Sequence, residues 1–259
     1  MLLDYHMHTH LTDGTGVPAD YARVALARGV AEICCTDHAP LADRDTDWTM
    51  KKSDLATYIG LVRDAQRQFP DFPIKLGLEV DYIPGHEDWI RELAGLYPWD
   101  FLLGSVHYLG DFPVDRSRDD WQGQDVDARW REYFAVWKQA AASGLFDSLA
   151  HPDLPKKFNL RPSADFTGTF DDALRTVAGK GVAIEVSTAG LRKPCREIYP
   201  SLAFLRTANR HGIPVTLGSD AHIPEDCGLD FDKAVTHLRA AGYSQIARYA
   251  LRRRELVSL

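Results

Sequence analysis

The chain has 259 residues, 45% hydrophobic and 26% charged, with 30 Lys and Arg against 37 Asp and Glu for a formal net charge of −7. This excludes a disordered or fibrous chain, is ample for a sizeable core, and argues against a nucleic-acid partner, which calls for a basic face. No stretch reaches the ~18 apolar residues of a membrane span, and the opening MLLDYHMHTH lacks the basic-then-apolar layout of a secretory leader.

Short apolar runs alternate with longer amphipathic stretches. The run at residues 2–5 leads into a helical pattern over 18–28, and that at 31–36 into one over 53–69. The runs at 74–80 and 101–106 precede helical patterns over 87–96 and 127–142. Those at 146–150, 182–186 and 214–217 precede patterns over 170–180, 199–210 and 231–241, and a last charged helical stretch is expected over 245–254. Most runs are almost continuously apolar, as parallel strands covered on both faces are. Gly29, Gly144, Gly181 and Gly212 each stand between a helical pattern and the next run, where a left-handed helix cap is wanted. The alternation predicts right-handed crossovers and a parallel sheet. Seven runs suit one α/β domain spanning residues 1–259, a closed or nearly closed barrel. No Gly-x-Gly-x-x-Gly follows the first run, against a dinucleotide site. Residues 108–126 are long, polar and interrupted by Pro113 and Gly123, a loop of the kind that is functional or disordered. Cys34, Cys35, Cys195 and Cys227 make no disulfide framework; the adjoining pair inside an apolar run reads as buried thiols of a reducing cytoplasm.

Histidine carries the functional signal. His6 and His8 follow the first run, Asp37 and His38 the second, and Glu79 and Asp81 end the third; His107, His151 and the pair Asp220 and His222 follow the fourth, fifth and seventh. Six of the ten histidines therefore fall at the C-terminal ends of predicted strands, where barrel enzymes assemble their sites. A His-x-His pair on extended backbone points both rings to one face. Eight ligands (His6, His8, His38, Glu79, His107, His151, Asp220 and His222) can hold two or three ions at about three or four protein ligands each, and imidazole with carboxylate suits Zn, Fe or Mn. Asp37 and Asp81 read either as ligands or as partners that orient ligands. His10, His86, His211 and His237 read as ordinary surface or hydrogen-bonded residues.

The motifs DYHMHTH, CTDHAP, GLEVDY, GSVHYLG, AHPDLPKKF, STAGLRKP and LGSDAH, in this order from Asp4 to about Phe231, resemble the polymerase and histidinol phosphatase (PHP) superfamily, and within it the monofunctional histidinol-phosphate phosphatases. The resemblance implies a distorted (β/α)7 TIM-like barrel with a trinuclear centre at the C-terminal ends of the strands. It implies one ion on His6, His8, Glu79 and Asp220, a second sharing Glu79 with His107 and His151, and a third on His38, His222 and a residue of the loop THLTDGTG. Asp13 is the expected loop ligand and His10 its competitor.

The resemblance also makes Arg161 and Arg192 phosphate ligands, through the bidentate match of guanidinium and phosphate. Lys156, Lys157, Lys193, Arg116 and Arg118 are expected to be solvated, and Tyr108, Asp81 and Asp115 are candidates for lining the substrate. The implied activity is hydrolysis of L-histidinol phosphate in histidine biosynthesis by a metal-bridging hydroxide, with no phosphoenzyme. His38, Asp220 or a metal-bound water would protonate the leaving group. Alternatives are a trimming nuclease or tyrosine phosphatase of the same superfamily, or a non-catalytic metal-dependent binding module.

Overall fold

The computed structural model describes residues 1–259. Seven parallel strands in the order β1-β2-β3-β4-β7-β8-β9 form the central sheet: β1 (Leu3–Asp4), β2 (Glu32–Cys35), β3 (Ile74–Asp81), β4 (Phe101–Ser105), β7 (Ser148–Leu149), β8 (Ala183–Ser187) and β9 (Val215–Gly218). Each is followed by a helix: α1 (Pro18–Ala27), α2 (Leu55–Gln68), α3 (Glu87–Leu96), α4 (Val126–Ser143), α5 (Thr167–Lys180), α6 (Leu202–Arg210) and α7 (Phe231–Ala240). The result is the expected (β/α)7 arrangement, a nearly closed barrel ringed by helices. All seven predicted runs are strands, because residues such as Ile33, Leu78, Leu103, Leu149, Ile184 and Val215 are covered on both sides. The four predicted cap glycines, Gly29, Gly144, Gly181 and Gly212, have φ between 67° and 72°.

The barrel closes between its first and last strands. Main-chain bonds Tyr5 N–H to Leu217 O (2.9 Å), His8 N–H to Ala221 O (2.9 Å) and Ala221 N–H to His6 O (3.3 Å) join them. Asp4 reinforces the join by accepting from the Ser219 hydroxyl (2.6 Å) and the Gly228 N–H (2.8 Å).

Two expectations are corrected. Residues 245–254 are not a helix but part of an antiparallel hairpin, β10 (Gln245–Ala250) with β11 (Arg253–Ser258). Leu251 and Arg252 form its two-residue turn with φ of 49° and 63°, the positive values such turns need, without the glycine that would announce them. Asp100 fixes this turn by accepting from Leu251 N–H (3.0 Å) and Arg252 N–H (2.9 Å). Ile246 and Tyr249, whose spacing imitated a helix face, instead enter the N-terminal end of the barrel, where Tyr249 packs on Phe101 (5.0 Å between ring centroids) and Tyr5 (6.4 Å). Arg248 holds the buried Glu32 carboxylate at 2.7 Å. Second, the 108–126 loop carries structure: a small hairpin, β5 (Tyr108–Leu109) with β6 (Phe112–Pro113), and a 3-10 turn at Arg118–Trp121 that buries Trp121. No helix is long and apolar enough to cross a membrane.

Candidate metal centre and active site

The C-terminal ends of the strands open into a cavity of about 450 Å³. Beneath it lie His6 and His8, fully buried just past β1. Glu79, near the end of β3, reaches the middle of the cluster. Its Oε2 lies 2.9 Å from His38 Nδ1, 3.2 Å from His6 Nε2 and 3.6 Å from His8 Nε2. Its Oε1 lies 3.2 Å from His151 Nε2 and 3.7 Å from His107 Nε2. Asp220 Oδ1 is 3.3 Å from His8 Nε2 and 3.5 Å from His222 Nδ1. Asp13 completes the ring, 3.0 Å from His222 Nε2 and 3.7 Å from His38 Nε2. The structure thus brings all nine expected residues together, with Asp13 beside His38 and His222 and His10 exposed away from them. The turn that returns Asp13 needs Gly14, where a Cβ would fall 2.0 Å from the His8 carbonyl oxygen.

This cluster fits divalent metal ions. His6 Nε2, both ring nitrogens of His8, Glu79 Oε2 and His151 Nδ1 are buried without a hydrogen-bond partner, a cost that stable proteins avoid unless something else binds there. Three groups of candidate ligand atoms draw within 4.8 Å of one another: His8, Asp13, His38 and His222; His6, His8 and Glu79; and His38, Glu79 and His107. Electrostatics agree. Burial disfavours charge on Glu79 and Asp220, but the surrounding histidines outweigh it and hold both carboxyls well below their usual range. Burial, with His38 and His222, lowers His8 to about 3, leaving the neutral imidazole a metal requires. Burial also disfavours charge on His6 and His107, but Glu185 and Asp81 outweigh it and push both up, His107 to about 10, so a metal bound there would displace a proton. His151 and Asp220 adopt left-handed backbone (φ 25° and 50°), strain of the kind concentrated at functional sites.

Partners behind the ligands set ring orientation. Asp81 accepts from His107 at Nδ1 (3.1 Å) and at its main-chain N–H (2.9 Å), so it orients a ligand. Asp37 binds the main chain and hydroxyl of Thr9 and so shapes the loop between His8 and Asp13. Sequence reasoning missed Glu185, which is buried in β8, pairs with His6 Nδ1 at 2.7 Å and accepts from His151 N–H at 2.9 Å. A carboxylate inside an otherwise apolar parallel strand was the available signal. Gly218 makes room for it, since a Cβ there would lie 2.0 Å from Glu185 Oε1.

The expected phosphate ligands sit apart from the ring. Arg161 is about 40% exposed and paired with Glu197 at 2.8 Å. Arg192 binds Asp226 at 2.9 Å and the Ser219 carbonyl at 2.6 Å, while its Nη1 is buried and unpartnered. Neither lines the cavity; Lys157, Lys193 and Arg116 do. The expectation that Lys157 is merely solvated is corrected, because the 108–126 segment folds over the cavity and Asp115 draws Lys157 into its wall at 2.9 Å. Lys193 is half-buried there, while Arg116 reaches the cavity rim but is 68% exposed and paired with Asp120, solvated as expected. Burial opposes ionisation of Asp115, but Lys157 and His107 prevail and pull its carboxyl down to about 2. Lys156 is not solvated either: it is fully buried between Asp153 (2.8 Å) and the Ile198 carbonyl (2.7 Å). Arg118 is exposed, as expected. Tyr108 and Asp115 line the cavity, and Asp81 does not.

The PHP domain family matches residues 4–189. The chain belongs to that family. This PHP domain is 41% identical over 247 residues to a Deinococcus radiodurans protein described as a probable histidinol-phosphatase, covering 93% of the chain and 94% of that relative. It is 27% identical over 258 residues to the histidinol-phosphatase of Lactococcus lactis, covering 96% and 94% respectively. Among solved structures, the L. lactis histidinol phosphate phosphatase complexed with zinc, L-histidinol and phosphate superposes with a TM-score of 0.86 at 27% identity over 98% of both chains. A putative histidinol phosphatase from Listeria monocytogenes gives 0.82 at 25% identity, covering 89% of this chain and 99% of that one.

Proposed function

We propose that this chain hydrolyses L-histidinol phosphate to L-histidinol and phosphate, the phosphatase step of histidine biosynthesis, as one domain over residues 1–259 in the cytoplasm. One observation carries the reading: a single cavity joins a buried imidazole and carboxylate cluster to a cationic wall. Likeness to the L. lactis enzyme that holds zinc, L-histidinol and phosphate supports the substrate. Two to three ions of Zn, Fe or Mn would be held by His6, His8, Glu79 and Asp220, by Glu79, His107 and His151, and by Asp13, His38 and His222. When bound, they supply Lewis acidity toward the phosphoryl oxygens and a water deprotonated near neutral pH.

The protein's own groups do the rest. Asp81 and Glu185 fix the rings of His107 and His6, so these ligands need no reorganisation during reaction. Lys157 and Lys193 set positive charge in the cavity wall against the substrate's phosphate. Arg192 adds the unpartnered Nη1 behind Asp220, and Arg161 lies beyond, on Glu197. His38 and Asp220 both face the cavity. His38 is the side chain proposed to pass a proton to the departing alcohol oxygen, and Asp220, held ionised by the surrounding histidines, can only relay one taken from a neighbour or a water.

Incubating metal-loaded protein with L-histidinol phosphate, phosphotyrosine or a short oligonucleotide, and measuring the phosphate or mononucleotide released, tests the reading. Turnover should be fastest on L-histidinol phosphate. Cleavage of the oligonucleotide or of phosphotyrosine at higher kcat/KM would replace it, and binding without turnover of any would favour a non-catalytic module.

A further inference from the structure

On the function proposed above, the imidazole and carboxylate side of the cavity would meet the phosphate end of a substrate, while the adjoining side is built from Asp47, Trp48 and Tyr108, of which only Tyr108 was expected to line the substrate. Trp48, on the loop after β2, stands edge-on to His38 (centroids 4.6 Å apart, planes at 89°) and to His107 (5.5 Å, 78°). Its ring lies close to parallel with that of Tyr108 (6.2 Å, 26°), and the Arg44 guanidinium covers Tyr108 at 4.9 Å. Trp99 and Trp137 are fully buried as core residues, whereas Trp48 and Tyr108 remain partly exposed and line the cavity. Asp47, one residue before Trp48, adds a carboxylate to the same wall.

We infer that the Trp48–Tyr108 wall is the subsite for the alcohol portion of the ester and that Trp48 is a specificity-determining residue, receiving a planar, cation-forming ring. The inference rests on the substrate proposed above. The indole abuts two rings of the metal-ligating cluster, so an ester whose phosphate faces that cluster runs its alcohol chain along the indole. A short aliphatic alcohol leaves the aromatic faces wet. An imidazole covers them, gaining ring stacking and, when protonated, cation–π attraction, while the ammonium group meets Asp47.

The test compares kcat/KM for L-histidinol phosphate with that for O-phosphoethanolamine, which keeps the phosphate and the amine but has no ring. It uses wild type, Trp48→Leu and Trp48→Phe, with inhibition by L-histidinol and by inorganic phosphate measured alongside. In Trp48→Leu the ratio of the two efficiencies should fall roughly 5- to 30-fold, L-histidinol inhibition should weaken relative to phosphate inhibition, and Trp48→Phe should recover most of the ratio. An unchanged ratio, with both efficiencies falling together or neither falling, overturns the inference. Should Trp48→Leu fail to fold, Tyr108→Leu on the neighbouring ring carries the same expectation and the same refutation. Wild type that shows no preference for L-histidinol phosphate would overturn the substrate reading itself, and the inference with it.

Discussion

Replacing Glu185 with Gln keeps the side chain's shape and changes what it can accept. The carboxylate takes hydrogen bonds from His6 at 2.7 Å and from the His151 main chain at 2.9 Å, in surroundings only 1% exposed. Gln satisfies one of these donors and turns an NH2 group toward the other, so a buried donor is left unpaired at about 1–3 kcal/mol. Unfolding of the metal-free variant by urea should show that loss directly. His6 also loses the anion that sets its ring orientation and raises its basicity, an effect that commonly lowers metal affinity ~10- to 100-fold, or about 1.4–2.8 kcal/mol. Competition against a chromogenic chelator measures this. Gly218→Ala gives an independent check, since its Cβ would come 2.0 Å from Glu185 Oε1 and must displace the carboxylate. Metal affinity within twofold of wild type in Glu185→Gln would refute the view that this residue orients the cluster.

Two further predictions follow from the cluster and the cationic wall. Glu79→Gln should lower bound metal by more than one equivalent in elemental analysis, because its two oxygens face different sets of histidines; loss of a single equivalent would mean that Glu79 serves one ion only. Arg161→Ala and Arg192→Ala remove none of the clustered side chains, so metal content should hold; if the two guanidiniums turn from Glu197 and Asp226 to the phosphate of the bound substrate, kcat/KM on L-histidinol phosphate should fall roughly 10- to 1,000-fold. Near wild-type efficiency in both would assign phosphate recognition to Lys157 and Lys193 alone.

The barrel was legible because strands buried on both faces leave uninterrupted apolar runs, and most of the clustered residues were legible because they end or follow such a run; Asp13, on a loop, was suggested only by the resemblance. The C-terminal hairpin was not, since its turn at Leu251 and Arg252 is held by Asp100, 151 residues from Leu251 in sequence. Glu185 was hidden for the same reason: its partner His6 is 179 positions away. The cationic wall was misjudged because Lys157 depends on Asp115, 42 residues distant, for its direction. Trp48 lies on a loop without periodicity, and only the fold reveals which rings it faces.

The join between β1 and β9 gives the ligands a second task. His6 and His8 leave one side of that seam and Asp220 and His222 the other, so ions held among them, as proposed above, would clasp the two ends of the chain's sheet. Without such ions the join rests on main-chain bonds, Asp4 and the packing of Tyr249 against Tyr5, and free strand edges invite pairing with other molecules. On the proposed ligand assignment, metal starvation would therefore act twice, silencing the site and loosening the closure of the barrel.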